Sequence, residues 1–388
     1  MRIHPTSLGF TLLLGALAGL PALSIDMGLP ALPLVAAEFH ASAPEVALTL
    51  SLFMLGFGLA QLIIGPLSDR IGRRPVLLWS LGIYALAGAA SAAAPSVPAL
   101  LLARGLQGAG AAGGTVLAFA IVRDLFDGDA ARARLSTISM VFSLAPVIAP
   151  SLGALMLNAD GWRAIFGLLS VTGLALVIAV TAGLPESRRT QPPARHTAIL
   201  REGRTVAYGI VGALNLANVF CFVAGAPLVL LGIYGLTPTQ FALVFATITA
   251  GVIAGAALNR LAVQRKAHPA WPLGLGLVGA ALAGTLGSLF MSSGLIPLVF
   301  LVPLMLLVTL SRGLVSPNVT HAALERVPHM AGAASALIGS MQMLTGALAG
   351  LVCGIMIGRY GAAGLCYTMA AFGIPALLAW IHVERKYR

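Results

Sequence analysis

"GPLSDRIGRRPVLL" (Gly65–Leu78) crowds Asp69, Arg70, Arg73 and Arg74 into a short stretch between two long apolar runs. The preceding run covers about 44–66 and the following one about 75–94, each near the roughly 20 helical residues that span a bilayer. Backbone polar groups cannot be left unpaired in hydrocarbon, so each run reads as a membrane-crossing helix. The stretch is then a charged turn between two crossings, marked by glycine. Pro75 fits the start of the second, because proline is tolerated in the first turn of a helix.

Working outward from this turn gives twelve such segments. They lie at about 8–36, 44–66, 75–94, 98–122, 135–157, 163–183, 205–229, 238–260, 271–291, 295–316, 331–357 and 361–383. Composition agrees: of 388 residues, 59% are apolar and 9% charged, against roughly 25% charged in an average soluble domain. The expected fold is an all-α integral membrane protein. A net charge of +11 would suggest nucleic acid in a soluble chain, but here the basic residues are read by position. With both termini cytoplasmic, all Lys and Arg except Arg104, Arg163 and Arg359 fall in cytoplasmic segments, counting Arg312 at the inner end of the tenth segment. This predicts a multi-pass protein of the bacterial inner membrane with no nucleic-acid partner.

One long polar connection, "PESRRTQPPARHTAILREGR" (Pro185–Arg204), divides the chain into an N-terminal bundle (1–184), a cytoplasmic linker (185–204) and a C-terminal bundle (205–388). An internal echo supports the division. "GPLSDR" (Gly65–Arg70) recurs as "GAALNR" (Gly255–Arg260), with Asn259 where Asp69 stands. Two six-helix halves related by an axis along the membrane normal are a transporter architecture.

The acids are few, and all but one fall in loops or at segment ends. Asp26, in "SIDMGLPALP" (Ser24–Pro33), alone lies within a segment. Its seven histidines (His4, His40, His196, His268, His321, His329 and His382) also sit in loops or near termini, so a proton-coupled mechanism would have to use Asp26. Helical rise places Asp26 about 27 Å from the inner end of the first segment and Arg104 roughly 9 Å below the outer surface. The two depths are compatible, so Arg104 or an arriving substrate could drive proton release. The plainer reading is a cap on the kink at Gly28 and Pro30, or a fixed ion pair. For Asp69, Arg73, Arg74 and Asp124, opposite charges at helix ends can latch two helices in one conformation and free them in another. They also serve as a positive topological anchor.

Other chemistry is thin. Cys221, Cys353 and Cys366 lack paired spacing, which argues against disulfides or a thiolate metal site. No glycine loop with Lys-Ser or Lys-Thr offers direct ATP drive, and no catalytic cluster suggests an enzyme. Neither a cofactor nor a metal is expected.

"GPLSDRIGRRPVLL" resembles the signature loop of the major facilitator superfamily, and "LLARGLQGAGAAGG" (Leu101–Gly114) resembles its fourth-helix arginine motif. Together with "IDMGLPALP", "IVRDLF" and "APVIAPSLGALM", the pattern is similar to the bicyclomycin/chloramphenicol resistance family of drug:proton antiporters. That resemblance implies two pseudo-symmetric six-helix bundles around a cavity lined mainly by helices 1, 4, 7 and 10. It gives Asp26 a role in protonation and drug binding and Arg104 one in proton exchange. Asp69, Arg73 and Asp124 match an inner charge network, with Gly65, Arg70, Gly72 and Arg74 around it. In the fifth segment Pro146, Pro150 and Gly153 follow the antiporter motif, with alanines at 145, 149 and 154 in place of glycines.

Gln107 on the fourth segment, Asn215, Asn218 and Phe220 on the seventh and Arg312 on the tenth are expected cavity residues. Asn215 and Asn218 share a helix face, where they either bind a ligand whose apolar parts meet Phe53, Phe57 or Phe142, or bond between helices. Arg312 is an unexpected charge that would disfavour cationic compounds. The expected function is proton-coupled export of drugs or other small amphipathic molecules by a monomer. The alternative is a narrow exporter of an endogenous metabolite such as an amino acid or sugar.

Overall fold

A computed structural model describes residues 4–187, 199–292, 294, 296–327 and 330–387. Linker residues 188–198, with His196, and also His329 lie outside the described residues. Among the described residues, twelve helices are long and apolar enough to cross a membrane. The first six are α1 (Leu8–Glu38), α2 (Ala43–Ile71), α3 (Arg73–Ala92), α4 (Val97–Leu125), α5 (Gly128–Asp160) and α6 (Trp162–Gly183). The others are α7 (Gly203–Ile233), α8 (Pro238–Gln264), α9 (Ala270–Ser292), α10 (Leu298–Leu324), α11 (Ala331–Tyr360) and α12 (Ala362–Tyr387). No strand occurs among the described residues.

Local chemistry fixes several helix ends. Ser7 Oγ accepts from the Phe10 N–H at 3.2 Å to start α1, and Thr237 with Gln240 forms a reciprocal cap on α8. Between α2 and α3 only Gly72 interrupts the helix. Its φ of +120° belongs to glycine, so the expected charged loop is largely the last turn of one helix and the first turn of the next. Large apolar side chains such as Leu86, Leu102, Ile178 and Val299 point outward. A surface facing acyl chains needs such groups, and helices satisfy their backbone internally.

Several helices run past the expected ends. Helix α2 continues through Pro66 to Ile71, and α10 through Pro303 and Pro317 to Leu324. Proline is tolerated inside membrane helices when neighbouring groups take up the freed backbone bonds. One consequence is a correction: Arg312 lies in the middle of α10, about 21 Å by helical rise from Leu298, and not at its inner end.

The chain forms two compact units. One comprises α1 up to Ala31 with the described residues from Leu52 to Ser187; the other comprises Leu32–Ser51 and the described residues from Ile199 onward. Within the first unit α3 packs on α4 and α6, and α1 on α4 and α5. Six helices further on, α9 packs on α10 and α12, and α7 on α10 and α11. The repeat legible in two hexapeptides thus extends to helix packing. Close approach depends on missing side chains at defined points. A Cβ on Gly108 of α4 would strike the Phe53 carbonyl of α2, and one on Gly255 of α8 would strike the Leu310 carbonyl of α10.

Candidate transport site

Regular helix in α1 stops at Asp26; a single 3-10 turn, Leu29–Ala31, then leads into Leu32–Glu38. Pro30 and Pro33 carry no N–H, so the carbonyls before them lose their helical donors. Asp26 stands at this break, 5% exposed. Its carboxyl makes no hydrogen bond or ion pair among the described residues, so it neither caps the kink nor belongs to a fixed ion pair. An ionised carboxylate held this way is costly unless something arrives to meet it.

Arg104 of α4, 1% exposed, is bound beside the break. Its Nη2 donates to the Ser24 carbonyl at 2.9 Å and its Nη1 to Gln107 Oε1 at 2.6 Å. The guanidinium also lies 4.5 Å from the Phe53 ring centroid and 5.3 Å from that of Phe166. Ser24 presents one of the carbonyls that a helix end leaves free, which is why a cation from another helix can take it. The hydroxyl of Ser24 bonds to Leu20 O and to Tyr84 Oη, each at 2.7 Å. Gln107 is fully buried, and its Nε2 has no partner among the described residues. Of the expected apolar contacts, Phe53 is therefore engaged under Arg104, Phe57 is buried and Phe142 is exposed.

Gly153 of α5 lies against the backbone of Met27, where a Cβ would strike the Met27 carbonyl. The helix-5 motif thus touches α1 next to Asp26. Pro146 and Pro150 lie inside the same helix.

A second cluster surrounds Gly72. Arg73 pairs with Asp69 at 2.5 Å and with Asp124 at 2.8 Å, and its Nη1 also donates to Ser68 Oγ at 2.6 Å. The side chains of Arg73 and Asp124 are 12% and 10% exposed, so this bridge is mostly shielded from water. Glu186, beyond α6, completes it: Oε1 accepts from the Arg73 N–H at 2.8 Å and Oε2 from the Arg74 N–H at 3.2 Å. A carboxylate on unpaired N–H groups at a helix start is favourable. Arg74 reaches back to the Thr181 carbonyl at 2.7 Å.

Two residues expected here stand apart. Arg70 is exposed and makes no side-chain bond among the described residues, and Gly65 faces open space, giving only its carbonyl to Ser68. Ser24, Tyr84, Phe166, Ser68 and Glu186 were missed. For Glu186 a signal existed, since it is an acid just after a crossing.

In the second unit, Asn215 and Asn218 are fully buried between helices. Asn215 Nδ2 donates to Ser311 Oγ at 3.1 Å and Asn218 Nδ2 to the Met369 carbonyl at 2.5 Å. Their Oδ1 atoms have no partner among the described residues. Phe220 is half-buried. Arg312 Nη2 donates to Gln342 Oε1 of α11 at 3.2 Å. No group of three or more His, Cys, Asp or Glu side chains among the described residues is arranged to hold a metal.

Comparison with known proteins agrees with this architecture. Residues 14–350 match the Major Facilitator Superfamily. The chain is 31% identical to the bicyclomycin resistance protein homolog of Haemophilus influenzae, over 97% of this chain and 96% of that one. It is 26% identical to multidrug resistance protein D of Escherichia coli, over 92% and 91% of the two chains. Among solved structures, a bacterial homologue of the human lysosomal transporter Spinster, inward-facing and occupied, superposes with a TM-score of 0.78 at 18% identity, over 99% and 98% of the two chains. Twelve spanning helices in a repeated packing, an intramembrane acid at a helix break and these relatives together place the chain: it belongs to the major facilitator superfamily of membrane transporters, in the drug:proton antiporter group of the bicyclomycin and multidrug resistance proteins.

Proposed function

We infer that this transporter exports drugs or other small amphipathic molecules across the bacterial inner membrane in exchange for protons, with both termini in the cytoplasm. The observation that carries the reading is Asp26, an acid at the break in α1 with no partner among the described residues. Taking up a proton cancels a charge that the protein leaves uncompensated, and losing it restores an acceptor for a ligand. Arg104, fixed on the Ser24 carbonyl two residues before Asp26, sets the local field without pairing with the carboxyl. Relatives named for bicyclomycin and multidrug resistance support small drug-like molecules as cargo. The cluster of Asp69, Arg73 and Asp124 acts as a latch: it steadies one conformation and opens in the other.

The test is reconstitution in proteoliposomes with an imposed pH gradient and a panel of compounds. Wild-type protein moves drug outward as protons move inward, and transport stops when the gradient collapses. The Asp26→Asn protein folds and inserts but loses proton-coupled movement. Drug-driven proton flux retained by that variant would falsify the assignment of Asp26. A response to one metabolite alone would favour the narrow exporter.

A further inference from the structure

Arg104 and Arg312, each well away from the ends of its helix, are held in opposite ways. Arg104 has two protein acceptors and two aromatic rings around it. Arg312, midway along α10, has one bond, from Nη2 to Gln342 Oε1. Its Nη1 is buried and has no partner among the described residues. None of the ion pairs among the described residues involves Arg312.

Gln342 spends its carbonyl oxygen on Arg312, which leaves its amide NH2 without an acceptor among the described residues. Gly212 of α7 makes the pairing possible. A Cβ there would sit 3.1 Å from Gln342 Nε2 and 3.0 Å from Val319 Cγ1, so the amide occupies the space a side chain would fill. One residue before Arg312, Ser311 donates to Val308 O and accepts from Asn215, so its hydroxyl is already committed. What remains is a half-buried guanidinium beside a carboxamide: unpaired N–H donors on both side chains and a full positive charge that no carboxylate among the described residues meets.

A ligand suited to this pair brings an anion with two oxygens on one atom. Carboxylates and sulfonates take guanidinium N–H groups in charge-assisted bonds, roughly twice as strong as neutral ones. A neutral acceptor would leave the charge uncompensated, and a cation would be repelled. We propose that Arg312 and Gln342 form the recognition point for an anionic group on the transported compound, so that the cargo includes amphipathic organic anions. The word "transported" rests on the export reading above; the anion site itself is read by binding alone.

The experiment uses full-length protein in nanodiscs of phosphatidylcholine, a zwitterionic lipid with no net charge. It employs two fluorescent probes with the same ring system, the sulfonate 1-anilinonaphthalene-8-sulfonate and its uncharged analogue N-phenyl-1-naphthylamine, with empty discs subtracted. Arg312→Gln weakens the sulfonate probe roughly tenfold and leaves the neutral probe within about twofold, whereas Arg312→Lys recovers part of the loss because it restores charge without the planar fork. Gly212→Val, which displaces Gln342, weakens the sulfonate probe alone by a smaller factor.

Equal sulfonate affinity in wild type and Arg312→Gln overturns the proposal, as does an equal loss for both probes. Because no pH gradient is applied, the outcome is independent of proton coupling. If the anion preference holds while proteoliposomes export nothing, the site stands and the export reading falls. If export holds and the preference is absent, the site falls.

Discussion

The end of α2 and the end of α8 share a sequence pattern but are held by different chemistry. After α2, Asp69 and Asp124 share Arg73, and Glu186 covers the start of α3. At the corresponding place on α8, Asn259 Oδ1 accepts from Asn318 Nδ2 at 2.7 Å, a neutral amide pair joining α8 to α10. Removing one member of the charged set strands the others in a poorly solvated place, whereas removing an amide strands only a weak dipole. The first unit therefore carries a joint whose strength depends on charge, and its repeat in the second unit does not. The two helix ends hold equivalent places in the packing and differ in chemistry.

The largest expected effect comes from Arg73→Gln, which leaves two carboxylates near each other without their cation. Stability falls by about 2–3 kcal/mol, read from the thermal unfolding midpoint of purified protein, and transport falls with it. Asp69→Asn comes next and separates cycling from binding: turnover drops roughly tenfold while affinity stays within about twofold, measured as rate and KM in proteoliposomes. A large affinity loss at normal turnover would contradict the latch. Glu186→Ala uncovers the start of α3 and costs about 1 kcal/mol, seen as faster hydrogen exchange at the Arg73 and Arg74 amides. The smallest effect is that of Asn318→Ala in the neutral joint, about 0.5–1 kcal/mol. Raising salt to about 1 M should leave the deficit of Asn318→Ala relative to wild type unchanged and shrink that of Arg73→Gln, because screening acts on charge.

Much of the architecture was legible because lipid leaves the backbone few choices. Long apolar runs, a charged turn at Gly72 and the echo at Gly255 predicted twelve helices in two halves, and the helices pack with that repeat. Asp26 stood out through the scarcity of acids, but its lack of a partner could not be read from spacing. The depth of Arg312 was misjudged because the apolar run of the tenth segment gives out near residue 316, although α10 continues through Pro317 to Leu324. Glu186 and Arg73 are 113 residues apart, and nothing in either segment announces their bond. Asn215 and Asn218 shared a face as expected, but whether that face met a ligand or another helix depended on α10 and α12, which local pattern does not contain.

The carboxylate of Glu186 belongs, by sequence, to the connector between the halves, yet it is bonded into the first unit beside Gly72. A gene split for co-expression of the halves is therefore sensitive to the position of the cut. Breaking the chain after Ser187 keeps the acid with the helix start it covers, whereas breaking it two residues earlier transfers that acid to the wrong fragment.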